Sequence, residues 1–177
     1  GDKVRSKRFA QEHEVPVSPW SGRAIADVDE AIQIADEIGY PVMLKAAAGG
    51  GGRGIRVVRS ADEVREALRG AVAEATSAFG DGAVFIEEFV EEARHVEVQI
   101  LADTHGQVWS LGTRDCSVQR RHQKILEETP APNIDPEILE AICEAGRRMA
   151  DACGYVGAGT AEFLLLPDGQ TFYFLEM

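Results

Sequence analysis

The chain has 177 residues, 45% of them hydrophobic and 27% charged, with 30 Asp and Glu against 18 Lys and Arg for a net charge of −12. Those proportions describe an ordinary globular chain of one domain or two small ones. They exclude nucleic-acid binding through a broad basic face, although a few local lysines and arginines suffice for a nucleotide. No apolar run approaches the roughly 20 residues that span a membrane, so neither a membrane partner nor a signal peptide is expected. Cys116, Cys143 and Cys153 are odd in number and lack metal-type spacing, so reduced thiols and a cytoplasmic location are expected.

Residues 1–14 are charged and read as a helix, and residues 15–26 (VPVSPWSGRAIA) read as a connector. Asp27 can cap a helix with Val28, Ile32, Ala35 and Ile38 on one face, ended by Gly39 and Pro41. A strand over 42–46 leads into four glycines, Gly49 to Gly52, with a fifth at Gly54, and a second strand over 55–59 follows. Ser60 and Glu63 form a capping box ahead of a helix with Val64, Leu68, Val72 and Ala75 inward, stopping near Gly80. This is a small α+β unit.

Val84 to Ile86 is a strand running into Glu87-Glu88-Phe89-Val90-Glu91-Glu92, where the change of texture suggests a hinge between subdomains. Val96, Val98 and Ile100 alternate with His95, Glu97 and Gln99, which predicts a half-buried strand with one polar face. A turn at 104–106 enters a strand over 108–111, and residues 114–128 are densely polar. Asp135 and Pro136 start a helix with Ile138, Ile142, Ala145 and Met149 buried, ended by Gly154. A hairpin closes the chain: GTAEFLLL, Pro-Asp-Gly-Gln, TFYFLEM.

Three stretches carry chemistry. In KAAAGGGGRGIRVV the glycine run lets successive N–H groups turn inward as an anion site, with Lys45 and Arg53 adding positive charge. The β-branched Ile55 to Val58 reads as a strand, against a dinucleotide loop, and the G-K-[ST] of a P-loop is absent. The stretch is a flap over a nucleotide, or a plain mobile linker. Glu162 and Glu176 lie in apolar strands on either side of the last turn. A two-residue turn at Asp168-Gly169 pairs Glu162 with Leu175. A three-residue turn or a bulge pairs it with Glu176, and two facing carboxylates then require a cation such as Mg²⁺. The third stretch, Gln119 to Lys124, is the densest basic cluster, either a solvated loop or an anion site.

Lys45 to Gly54, then Arg94-His95-Val96-Glu97, RDCSVQRRHQK, GTAEF and FLEM, in that order and spacing, resemble the biotin carboxylase component of biotin-dependent carboxylases. The resemblance covers essentially the whole chain. It implies an α+β ATP-grasp fold: an N-terminal helical segment and connector over 1–20, a lid subdomain over 21–86 carrying the flap, and part of a larger antiparallel-sheet subdomain over 87–177. It also implies a ligase that phosphorylates bicarbonate with ATP to carboxyphosphate and passes the carboxyl group to biotin on a carrier domain. Phosphoryl transfer of that kind needs charge neutralisation and exclusion of water. Mg²⁺, or Mn²⁺ in its place, is the implied metal. A biotin carboxyl carrier domain and a carboxyltransferase are the implied partners, in a homo-oligomeric parent protein. The Pro-Trp-Ser-Gly connector, residues 19–22, is similar to that of acyl-CoA carboxylases.

Carried over by position, the resemblance gives Lys3, Lys45 and the backbone of Gly51 and Gly52 to the ATP phosphates. It gives Glu87, Glu88, Phe89 and Val90 to adenine, through the Glu87 side chain and the backbone of Glu88 and Val90. His95, Gln119 and His122 join the ATP-binding set, and both histidines line its ribose and phosphate side. Lys124 is the catalytic residue, facing bicarbonate and the γ-phosphate, and Glu162 and Glu176 are metal ligands. Ala48 stands where more glycine-rich members have glycine. The family continues past FLEM with further metal and bicarbonate residues and carries a subdomain ahead of Gly-Asp-Lys. The 177 residues are therefore expected to be a central piece with little activity alone. The rival expectations are a carbamoyl-phosphate synthetase-like ligase and a nucleotide-binding module without catalysis.

Overall fold

The computed structural model describes residues 2–48, 55–120 and 123–177. The chain divides into two compact units: Gly1–Arg5 with Ser18–Glu91, and Ser6–Val17 with Glu92–Met177. The first helix, α1 (Lys3–Glu12), belongs to the second unit from Ser6 onward. No helix among the described residues is long and apolar enough to cross a membrane.

The first unit is a three-stranded antiparallel sheet, β1 (Val42–Ala46) between β2 (Arg56–Val58) and β3 (Val84–Glu88), with helices α2 (Val28–Ile38) and α3 (Ala61–Phe79). Ala31, Ala35, Val42, Leu44, Val58, Val64, Leu68 and Ile86 form its core. Asp27 caps α2 as expected, accepting from the Glu30 N–H at 2.9 Å. At α3 the expected capping box is replaced by a bond one residue ahead of the N-cap. Ser60 makes no side-chain cap bond, whereas the Glu63 carboxylate accepts from the Arg59 N–H at 2.8 Å. The buried stripe of α3 runs through Ala71 instead of Val72, which is 37% exposed. Small alanines let the helices approach the sheet, so the larger valine is left outside.

The second unit is a five-stranded antiparallel sheet in the order β6 (Gln123–Glu128), β5 (Val108–Arg120), β4 (Arg94–Ala102), β7 (Gly157–Leu165), β8 (Phe172–Glu176). Helix α4 (Pro136–Ala152) covers one face, where Ile142, Ala145 and Met149 meet Val96, Val98, Ile100, Ala161, Phe163 and Phe174. At Gly146 a Cβ would stand 3.3 Å from both Ala161 and Val98, so glycine sets how closely helix and sheet approach. Within the polar stretch, residues 114–120 continue β5 and residues 123–128 form β6, whose six residues are all exposed.

Two irregularities decide which side chains share the uncovered face. Val98 pairs with Thr113 and Ile100 with Ser110, so Leu111 and Gly112 together oppose Gln99. Gly112 has φ +116, a conformation open to glycine and strained for other residues. Without that extra residue the register would slip by one, and Arg114 would share the helix-covered face with Val96. With it, Arg114 pairs with Glu97. At the other side of the sheet, Phe163 pairs with Phe174 but Glu162 with Glu176, so Leu175 is skipped. Of the two registers the sequence leaves open, the turn keeps the one expected of a two-residue connection, and a bulge restores the Glu162–Glu176 pairing.

Gly112→Ala is expected to lower stability by about 1–3 kcal/mol through backbone strain alone, since its Cβ would meet nothing within 4 Å. Urea unfolding measures this, and a loss under about 0.5 kcal/mol would show that the bulge accepts an L-residue without strain.

Candidate functional site

Directly paired residues on an antiparallel sheet point to the same face. Arg114 pairs with Glu97, Glu97 with Glu162, and Glu162 with Glu176. One arginine and three glutamates therefore stand side by side across β5, β4, β7 and β8, on the face opposite α4. Adjacent carboxylates repel unless positive charge lies between them. Lys124 supplies it in the first gap: its ammonium binds Glu97 Oε1 and, at 2.8 Å, Glu162 Oε1. Arg114 takes the other Glu97 oxygen, donating from Nη2 at 2.9 Å and Nε at 3.2 Å. Glu97 is 2% exposed, so both cations compensate a carboxylate that water cannot reach.

His95 closes the row. Gln119 donates to its Nδ1 at 2.7 Å, which leaves the Nε2–H to bind Glu162 Oε2 at 2.9 Å. Ligand atoms of His95, Glu97 and Glu162 lie within 4.8 Å of one another, a geometry open to a metal ion. The Lys124 ammonium already stands between the two carboxylates of that group. Cys116, buried beside Glu97 and Glu127, has its thiol pushed up to about 11 by burial first and by the Glu127 charge second. It stays a neutral thiol near neutral pH, and all three cysteines are unbridged.

In the first unit, Lys45 and Glu87 project from the sheet face that Phe85 shares, and the two form a buried ion pair. Ser18 Oγ donates to Glu87 at 3.5 Å. The Lys3 N–H binds Ala47 O at 3.0 Å, which anchors that lysine beside the end of β1. The Glu88 side chain lies on the opposite, core-facing side with Ile86, and one of its oxygens is buried without a hydrogen-bond partner among the described residues. Backbone N–H groups of Glu88 and Phe89 donate to Pro19 O and Pro41 O, and half-buried Val90 follows. Gly51, Gly52 and His122 lie outside the described residues.

The second unit thus brings Lys124, Glu162, His95 and Gln119 into one hydrogen-bonded group, with Glu176 paired beside it. Sequence reasoning passed over Glu97 and Arg114, which hold Lys124 in place. The available signal was alternation: Glu97 sits on the polar face of β4 between His95 and Gln99, but nothing local shows that this face is buried. Arg114 was hidden by the bulge, because strict alternation from β5's start puts it on the other face.

Burial, the largest influence on Glu162, pushes its pKa up. The hydrogen bonds from His95 and Lys124, with the positive charge of Lys124, outweigh it, so the carboxyl lies below its ordinary 4.5. A carboxyl depressed in the folded state stabilises the fold above 4.5, and that contribution is lost as pH falls through the folded value. Wild type is therefore expected to lose stability relative to Glu162→Gln between about pH 6 and pH 3. Chemical unfolding across that range checks it, and a gap independent of pH would mean that Glu162 gains nothing from its cations.

The chain matches the model of the family described as carbamoyl-phosphate synthase L chain, ATP binding domain, over residues 2–177. It is 50% identical to a biotin carboxylase of Nostoc and 49% identical to a propionyl-CoA carboxylase alpha chain of Ruegeria pomeroyi. Both matches cover all of this chain, which spans 39% and 26% of those two relatives. Among solved structures, the biotin carboxylase domain dimer of the Hydrogenobacter thermophilus 2-oxoglutarate carboxylase, in complex with MgADP, ADP and bicarbonate, superimposes with a TM-score of 0.95. It is 45% identical, and the match covers 100% of this chain and 39% of that one. The α+β architecture is the ATP-grasp fold of biotin carboxylases. The chain belongs to the family of carbamoyl-phosphate synthase L chain ATP-binding domains, and within it is similar along its whole length to the biotin carboxylases.

Proposed function

We propose that the protein acts in the ATP-dependent carboxylation of biotin, phosphorylating bicarbonate to carboxyphosphate and passing the carboxyl group to a carrier-bound biotin. The observation that carries this is the cross-strand row, which with Lys124 holds two cations and three carboxylates. Glu162 and Glu176, paired hard oxygen donors, suit Mg²⁺ together with nucleotide oxygens. When bound, the ion supplies charge neutralisation on the phosphates.

An ammonium has three N–H donors. Lys124 spends two on Glu97 and Glu162, and its side chain is 30% exposed. The third donor is suited to an incoming anion, bicarbonate or the γ-phosphate. His95 and Gln119 would orient Glu162 and contact the ribose and phosphate side of ATP, with His122. In the first unit Lys3, Lys45, Gly51 and Gly52 would contact phosphates. The Glu87 side chain and the backbone of Glu88 and Val90 would hold adenine, with Phe89 in the same segment. The Lys45–Glu87 pair keeps both charges compensated where they are buried.

Bound MgADP and bicarbonate in the Hydrogenobacter relative support this ligand set. An acyl-CoA as final acceptor is favoured by the Pro-Trp-Ser-Gly connector and the Ruegeria relative. A carboxyltransferase, a carrier domain, a homo-oligomeric assembly and a cytoplasmic location complete the proposal. Catalysis is assigned to the longer protein, and little activity is expected of these 177 residues alone.

Calorimetry of ATP binding with and without Mg²⁺ tests the site. Wild type is expected to bind ATP more tightly with Mg²⁺, by about tenfold or more. Glu162→Gln and Glu176→Gln should each abolish that difference. Mg²⁺ dependence that survives both substitutions would remove the metal role from the hairpin.

A further inference from the structure

Arg114 is held by several partners. Besides Glu97, its Nη1 donates to Gln99 Oε1 at 2.9 Å, its Nη2 to Thr160 Oγ1 at 3.2 Å, and its Nε lies 3.4 Å from Glu127 Oε2. Gln99 is fixed in turn, donating to Gly159 O at 3.0 Å. The guanidinium is thus pre-organised before any ligand arrives, and it is aimed at one oxygen of Glu97 while Lys124 takes the other. Arg114 makes no direct contact with Lys124, and Glu97 is the group the two share.

We infer that Arg114 is a positioning residue that sets the strength of Lys124 as an anion receptor. By compensating Glu97, it leaves the Lys124 ammonium shared between Glu97 and Glu162 with charge to spare for a bound anion. Without Arg114, Glu97 would be compensated by Lys124 alone. The ammonium would be drawn onto that buried carboxylate, and the row would repel an anion by one further charge. The inference rests on the proposal that Lys124 faces bicarbonate.

The test is bicarbonate-dependent ATP cleavage by the complete protein carrying Arg114→Met, Arg114→Lys, or Arg114→Met with Glu97→Gln. Arg114→Met is expected to raise the KM for bicarbonate about tenfold while kcat falls by less than about threefold. Arg114→Lys restores the positive charge, and Glu97→Gln removes the negative charge it opposes. Either change should return KM to within about threefold of wild type. A purely structural arginine would change the yield of folded protein and leave KM where it was, which would overturn the inference. Should Arg114→Met not fold, the other two variants decide it: a KM more than about tenfold above wild type in either one counts against charge balance. A wild-type protein whose ATP cleavage ignores bicarbonate would overturn the proposed function and this inference with it. Unchanged KM values in an active protein overturn only the role of Arg114.

Discussion

A carboxylate placed where water cannot reach it must be neutralised on the spot, and Glu97 is such a carboxylate. It sits between a second carboxylate on β7 and an arginine on β5. A cation meets each of its oxygens, and the Coulomb cost of leaving one uncompensated grows in a low-dielectric setting. Lys124, reaching from an edge strand that is otherwise exposed, is thereby fixed at one point. A flexible side chain with large rotamer entropy becomes a defined positive group. Such a group suits the bicarbonate site proposed above, since a small anion offers little surface and must be recognised almost wholly by charge and hydrogen bonds.

The row depends on two one-residue shifts in the sheet. Alternation by itself would put Arg114 with the core valines and Glu176 out of line with Glu162. The bulge in β5 brings Arg114 to the open face and the one in β8 brings Glu176 there, while Val108, Phe172 and Phe174 stay with the core under α4. The bulges therefore convert a regular amphipathic sheet into one with a charge array on its open side.

Much of this was legible in the sequence. Helix spans followed from apolar spacing and from caps such as Asp27, and the Glu162–Glu176 pairing was one of two registers left open, with a cation needed if the two carboxylates face each other. The glutamate ladder was legible only at its β7 and β8 end. Glu97 looked like a solvated residue on a polar face, because burial of that face depends on Arg114 and Lys124 arriving from strands that are distant in sequence. A bulge has no reliable local signature beyond a glycine, and Gly112 is one of 18 in the chain. Ser60 shows the converse: its pattern fits a capping box, but its hydroxyl makes no cap bond.

The proposed chemistry makes a demand that no binding experiment can meet. If an oxygen of bicarbonate attacks the γ-phosphorus, that oxygen stays on the phosphate when the carboxyl carbon departs. The complete protein should therefore be given ATP and bicarbonate labelled with heavy oxygen, and the released inorganic phosphate analysed by mass. The account predicts one labelled oxygen in each phosphate formed. Phosphate that carries oxygen only from ATP and water would contradict it, because water and not bicarbonate would then be the acceptor.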